Sequence, residues 1–321
     1  MKVLVTGARG KVGRAAVAAL QAAGHEVTAT DLGAPVYEAG APGAARYVRA
    51  DLTDSGSVYA LVRGHDAVVH AAAIPEPSQD VAHVVFANNL LATFHVVEAC
   101  VRWEIDRLVN ISSETVPGFI FAERPFTPAY CPVDEEHPLT PQDPYALAKH
   151  FGEQLCDAAV RRSQLRVLTL RPSWVSWEGN YERNLGPMVA DPSIDSVTFW
   201  AYTDLYDLAE AIVAATESDL AGHEVVYIAA ADNIGGRDLA AAVRARHGDA
   251  VALRELDRRD AGGIAISKAR RLIGYAPKRS WRDYLDENGR LREWARTRLA
   301  EDPTVGAVPP SPGQANGSST P

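Results

Sequence analysis

The sequence predicts an α/β protein built on a doubly wound, mostly parallel sheet, with a smaller lobe formed by its C-terminal part. Three observations carry this expectation. Short β-rich runs alternate with helix-length stretches through the first half, the rhythm of βαβ units. A glycine cluster stands between the first strand and the first helix. After Pro172 the alternation gives way to loops punctuated by Trp174, Trp177, Pro187, Pro192 and Trp200.

The elements follow in order. Lys2 to Thr6 reads as a strand, and Lys11 to Ala23 as an Ala-rich helix closed by Gly24, a residue suited to a helix C-cap. Strands are expected at His25 to Thr30 and Arg46 to Ala50, a helix at Ser55 to Arg63, and a buried strand at Ala67 to His70. A long helix spans Val81 to Trp103, Arg107 to Ile111 is a strand, Tyr145 to Arg162 is helical, and Arg166 to Leu170 is a strand. Further on come a helix from Asp207 to Thr216, a strand near Val225 to Ala229, and a helix from Arg237 to Arg246. The expected division is 1–171 as the cofactor-binding core, 172–302 as a substrate-binding lobe interleaved with it, and 303–321 as a disordered tail rich in Pro, Gly, Ser and Thr.

Bulk properties narrow the function. The 321 residues are 47% hydrophobic and 23% charged, ordinary for a globular enzyme. A net charge of −9 disfavours a broad nucleic-acid interface. The apolar run at Val3 to Val5 is too short for a signal-peptide core, and no stretch approaches the roughly 18 apolar residues of a membrane span. Cys100, Cys131 and Cys156 lack C-x-x-C spacing, so free thiols in a reducing cytoplasm are expected. No metal site is expected, since His223-Glu224 is followed by Tyr227 where a second zinc-binding His would stand.

The segment Gly7-Ala8-Arg9-Gly10-Lys11-Val12-Gly13 has the composition a dinucleotide requires. Glycines permit the tight turn and close approach of backbone to pyrophosphate, and the helix start offers free N–H groups and a positive dipole end. Asp31 ends the second strand, where an acid holds the adenosine ribose hydroxyls and repels a 2′-phosphate. Arg9 argues the other way, as a basic neighbour for that phosphate, yet the balance favours NAD over NADP. Asp51-Leu52 is placed to receive the adenine amino group, or alternatively to start a helix, a task Thr53 or Asp54 would serve equally.

In these residues the chain resembles the extended short-chain dehydrogenases, the NAD-dependent epimerase/dehydratase family. The likeness covers roughly residues 1 to 300 and rests on Gly7 to Gly13, Asp31, Asp51-Leu52, His70-Ala71-Ala72-Ala73, Asn89, Ser112-Ser113, Tyr145-x-x-x-Lys149, Leu170-Arg171-Pro172 and Asp207-Leu208-Ala209. It implies a Rossmann-type fold, NAD as cofactor, and Ser113, Tyr145 and Lys149 as catalytic residues. One Tyr-x-x-x-Lys pair arises by chance about 0.2 times in such a composition. The i,i+4 spacing puts both side chains on one helix face. An ammonium ~5 Å from a phenol, at an effective dielectric of ~20, should favour the phenolate by about two pKa units, making Tyr145 an acid/base near neutral pH.

The resemblance further implies that Ser113 bonds the substrate oxygen, that Lys149 holds the nicotinamide ribose, and that Ser112 bonds backbone and shapes the turn. Asn89 is either structural or catalytic. Ala71, Ala72 and Ala73 are small because backbone there lies against cofactor or a helix. A homodimer through the Val81–Trp103 and Tyr145–Arg162 helices is implied as well.

Two departures bear on the substrate. Dehydratases of the family carry adjacent acids after the catalytic Ser, whereas this chain has Glu114 and then Thr115, so dehydration is not expected. Relatives that act on nucleotide sugars usually place an Arg a few residues before Asp207-Leu208-Ala209, reaching the diphosphate. Here that residue is Trp200, and Arg254, Arg258 or Arg259 could compensate. Trp174, Trp177 and Trp200, with Glu114, are candidate substrate contacts, although core packing explains each Trp alone. The expectation is an epimerase or dehydrogenase acting on a secondary alcohol or ketone of a sugar-like substrate. An NADP-dependent carbonyl reductase and a non-catalytic NAD-responsive binding protein are the alternatives.

Overall fold

The computed structural model describes residues 1–34 and 45–301; the expected disordered tail at 303–321 lies outside the described residues. Seven strands form one sheet: β1 (Lys2–Thr6), β2 (Glu26–Asp31), β3 (Arg46–Arg49), β4 (Ala67–His70), β5 (Arg107–Ile111), β7 (Arg166–Pro172) and β10 (His223–Ile228). Their order is β10-β7-β5-β4-β1-β2-β3, and each pairing is parallel. The sheet is flanked by α1 (Lys11–Ala22), α2 (Ser55–Val62), α3 (Ala82–Arg102), α4 (Pro144–Arg162) and α7 (Leu205–Glu217). The two-stranded pairs are β6 (Tyr130–Cys131) with β11 (Ala252–Leu253), and β8 (Val175–Ser176) with β9 (Thr203–Asp204). Short helices complete the second half: α5 (Tyr181–Asn184), α6 (Gly186–Ala190), α8 (Leu239–His247), α9 (Ser267–Ile273), α10 (Trp281–Tyr284) and α11 (Glu293–Glu301).

The central strands are continuous apolar runs because both faces of the sheet are covered. Val3 and Val5 face the layer of α1 and α7, together with Val69, Val109 and Leu208. Leu4 faces the opposite layer with Val68, Leu108, Val96 and Cys156. Where α1 crosses α7 the surfaces are small, Ala15 and Ala19 against Leu205 and Ala209, which lets the helices approach closely.

The strand His223–Ile228 lies in the main sheet beside β7, and Tyr181, Leu185 and Phe199 share one core with Val3 and Val5. The second half therefore has no separate core of its own. The helix expected at Arg237 begins at Leu239, because the Asp238 carboxylate caps it by accepting from Ala241 N–H. By length and composition alone α3, with mean hydropathy 1.5, is apolar enough to cross a membrane. Its buried Asn89 and Thr93 are hydrogen-bonded within the protein, as suits a helix packed on a sheet.

Chain order reverses at β1, which continues to β2 on one side and has β4 on the other. Thr6 and His70, the last residues of β1 and β4, are register partners. The crevice beyond these strand ends is the topological switch point, where open α/β sheets bind their ligands.

Candidate active site

The turn from β1 into α1 is built of glycines for steric reasons. Gly7 has φ of 66°, and a Cβ on it would lie 2.7 Å from Ala72 Cα. A Cβ on Gly13 would lie 2.1 Å from the Gly7 carbonyl oxygen, so α1 can start this close only with glycine. The Gly7 contact also brings the backbone of Ala71 and Ala72 against the glycine turn. No side chain caps α1 at Gly10, leaving the first N–H groups of the helix, from Lys11 and Val12 onward, available to an anion.

Asp31 stands beside this turn, its Oδ2 accepting from Arg9 N–H at 2.9 Å. The Arg9 guanidinium donates to the Ala34 carbonyl at 2.8 Å. Asp51 accepts from the N–H and hydroxyl of Thr53, while Asp54 caps α2. Leu52 is buried, and its carbonyl bonds the His95 ring at 3.0 Å. An uncapped helix start, a glycine cradle with no room for a Cβ and a carboxylate at the end of β2 fit an adenine dinucleotide whose ribose hydroxyls are free.

A buried relay supports the neighbouring strand end. Thr93 donates to the Asn89 carbonyl at 2.8 Å, so it accepts from His70 Nε2 at 3.1 Å. His70 Nδ1 then accepts from Thr6 at 2.9 Å, and Thr6 accepts from Ala72 N–H at 3.3 Å. Burial drives the His70 pKa down to about 3, which keeps the ring neutral and the relay in one direction. Asn89 clamps the loop after β4, donating to the Ile74 carbonyl at 2.9 Å and accepting from Ile74 N–H at 2.8 Å. It acts on the loop backbone.

Ser113, Tyr145 and Lys149 converge at the ends of β5 and α4. Asp143 caps α4 by accepting from the Tyr145 and Ala146 N–H groups, and Pro144 sits in the first turn, where its missing N–H costs nothing. The Ser113 side chain faces the Tyr145 hydroxyl closely enough to favour the phenolate. Ser113 Oγ in turn accepts from Thr115 Oγ1 at 3.0 Å. Lys149 Nζ donates to the Ile111 carbonyl at 2.6 Å and lies 5.8 Å from the Tyr145 ring centre.

The electrostatics differ from the expectation. Burial raises the Tyr145 pKa to about 12, with Asp143 and Glu114 adding to the rise. Burial also lowers Lys149 to about 8, against the pull of Glu153. Desolvation thus outweighs the attraction between ammonium and phenol. An oxidised nicotinamide held beside Lys149 would supply additional positive charge to lower Tyr145.

One further expectation is corrected: Ser112 bonds a side chain, Glu153 Oε1 at 2.6 Å, through its hydroxyl. Trp200 is 5% exposed, donates to the Ile194 carbonyl and packs in the common core, the packing role that accounts for it alone. Arg254, Arg258 and Arg259 are paired with Asp134, Asp260 and Asp238. Arg237 is likewise spent on the carbonyls of Ile234 and Met188.

Trp177 lies at the glycine turn, with Lys11 Nζ 3.6 Å from its ring centre, whereas Trp174 is exposed. Glu114 is buried and accepts from Ser173 Oγ. Among the described residues no group of three or more His, Cys, Asp or Glu side chains is placed to hold a metal. The His70 relay and Glu153 are functional features beyond those expected from the sequence. Glu153 was discoverable, since it follows Lys149 by one helical turn on the same face.

The pattern of the NAD dependent epimerase/dehydratase family matches residues 3–229. An L-arabinose 1-dehydrogenase (NAD(P)(+)) of Haloferax volcanii is 34% identical over 180 residues, covering 54% of this chain and 67% of that one. A uronate dehydrogenase of Pseudomonas putida is 24% identical over 233 residues, covering 72% and 77%. The chain spans between 36% and 67% of the length of the first three curated relatives. In fold it is similar to a short-chain dehydrogenase/reductase superfamily protein from Agrobacterium tumefaciens solved with bound NAD, with a TM-score of 0.69 at 23% identity, covering 94% of this chain and 99% of that one.

Proposed function

The chain belongs to the NAD-dependent epimerase/dehydratase family, and we propose that within it the protein is a dehydrogenase that oxidises a free sugar or sugar acid and releases the product. NAD, held along the glycine turn, Asp31 and Lys149, supplies the hydride acceptor. Ser113 bonds the substrate hydroxyl and Tyr145 takes its proton, while Lys149 holds the ribose and contributes positive charge beside the phenol.

The observation that carries the choice of a free sugar is the missing diphosphate clamp. The site expected to hold a phosphate-binding Arg is the buried Trp200. Arg237, Arg254, Arg258 and Arg259 are all committed to carbonyls or carboxylates. The exposed pairs of Arg254, Arg258 and Arg259 compete with a diphosphate only weakly, by about 1 kcal/mol or less each, so the choice rests on Trp200 in the place of the anchoring Arg. Among the relatives the arabinose and uronate dehydrogenases agree with this choice, whereas the dTDP-glucose 4,6-dehydratases and UDP-glucose 4-epimerases carry nucleotide-sugar names. Dehydration is disfavoured because Thr115, the residue in place of the second acid, is buried and donates to Ser113. The proposal is tested by calorimetric titration with UDP and UDP-glucose, for which no binding is expected. Micromolar affinity for either would overturn it in favour of an epimerase that recycles its cofactor internally.

We place cofactor binding in 1–171 and substrate binding mainly in 172–302. A homodimer through α3 and α4 is supported by their exposed Leu91, Phe94 and Phe151, an apolar face that a second copy would cover. A cytoplasmic location is supported by three free, buried cysteines.

A further inference from the structure

Beneath the catalytic face of α4 lies an ion pair that binding and hydride transfer do not require. Tyr145, Lys149 and Glu153 follow one another at i, i+4 and i+8 on α4, and all three are buried. The Arg171 guanidinium on β7 grips Glu153 with two bonds, Nε to Oε1 at 2.9 Å and Nη2 to Oε2 at 2.6 Å. The two side chains are only 3% and 4% exposed. The last residue of β5 and the one after it are held by this face of α4: Ile111 through its carbonyl by Lys149 and Ser112 through its hydroxyl by Glu153. On the far side, Arg171 Nη1 donates to the Tyr227 hydroxyl of β10 at 3.4 Å.

A buried ion pair is poor value as a source of stability. The desolvation of two charges offsets most of their attraction, and apolar residues of similar volume do as well or better. What such residues cannot do is place charge one helical turn from the catalytic ammonium. We propose that Glu153 and Arg171 are positioning residues for Lys149, the carboxylate keeping it charged and the guanidinium limiting how strongly. This rests on the reading of Lys149 as catalytic. The other groups facing Lys149 are Tyr145 on its own helix and His70 on β4, and His70 is neutral. Glu153 is therefore the charge that opposes the desolvation of Lys149.

The pair makes a prediction of sign that a purely structural role does not. Glu153→Gln removes the negative charge and leaves Arg171 unpaired, so Lys149 should titrate lower by about one to two pH units, from the attraction across one helical turn. Arg171→Gln frees the Glu153 field, so Lys149 should titrate higher. The double variant should return close to the native value, and Glu153→Asp, which keeps the charge, should stay near it.

The measurement is a pH titration by NMR of the full chain labelled with ¹³C at lysine Cε, in which Lys149→Met identifies the Lys149 signal. Should Glu153→Gln fail to fold, Arg171→Gln and the double variant still test the sign. Shifts of the two single variants in the same direction, or neither exceeding about 0.3 units, would overturn the proposal. Turnover profiles against pH are recorded alongside. If the NMR shifts appear but the profiles do not follow, the pair tunes Lys149 as proposed and the catalytic reading of Lys149 fails instead.

Discussion

Glu114 offers a stability test of the electrostatics around Ser113. Its carboxyl is 5% exposed, accepts from Ser173 Oγ, and is pushed by burial from an ordinary 4.5 to about 8. The folded protein must therefore keep a proton that the unfolded chain gives up above pH 4.5. The stability contributed by this group is complete below that pH and is lost as pH climbs through the folded value. At about 1.4 kcal/mol per unit, the loss between pH 5 and pH 8 is about 3 to 4 kcal/mol. Glu114→Gln replaces the acid with an amide of the same shape that still accepts from Ser173 and never titrates. Urea unfolding followed by tryptophan fluorescence should find the variant within about 1 kcal/mol of the native protein at pH 5 and about 3 kcal/mol more stable at pH 8. Groups common to both proteins cancel in this difference. An equal difference at both pH values would refute the buried, protonated carboxyl.

Four other outcomes are expected. Tyr145→Phe removes the proton acceptor and should lower turnover by about 10²- to 10⁴-fold while leaving NAD affinity, read by calorimetry, nearly unchanged. Asn89→Leu deletes both bonds to Ile74 and strands two backbone groups, which should cost about 2–4 kcal/mol in urea unfolding. Gly13→Ala drives a Cβ to 2.1 Å from the Gly7 carbonyl oxygen and should abolish measurable NAD binding. Gly56→Ala is the control: its Cβ meets nothing closer than 3.8 Å, and on helix α2 it should stabilise by about 0.5–1 kcal/mol.

The N-terminal half was legible because its signals are local. Val3 to Val5 and Ala67 to His70 are apolar runs bounded by turn residues, and Gly7 to Gly13 sits where a strand meets a helix. Ser113, Tyr145 and Lys149 were legible as an ordered set at the ends of such elements. What failed depended on long-range placement. The strand at His223 joins the main sheet because β7 leaves it an edge to pair with, which no local pattern reveals. Arg254 was a candidate to replace the missing diphosphate-binding Arg, yet Asp134, which lies 120 positions before it, comes within salt-bridge distance of it after folding. The expected lowering of the Tyr145 pKa failed because the spacing of Tyr145 and Lys149 gives their attraction but not the desolvation that exceeds it.

We propose that this NAD-dependent enzyme oxidises a free sugar and releases its product. The most direct measurement is NADH absorbance when the purified protein and excess NAD meet free pentoses, hexoses and uronic acids, with UDP-glucose and UDP-galactose in parallel. The account predicts NADH accumulating beyond one equivalent per active site on a free sugar or sugar acid, and none with the nucleotide sugars. Interconversion of UDP-glucose and UDP-galactose without net NADH, and no reaction on any free sugar, would contradict it.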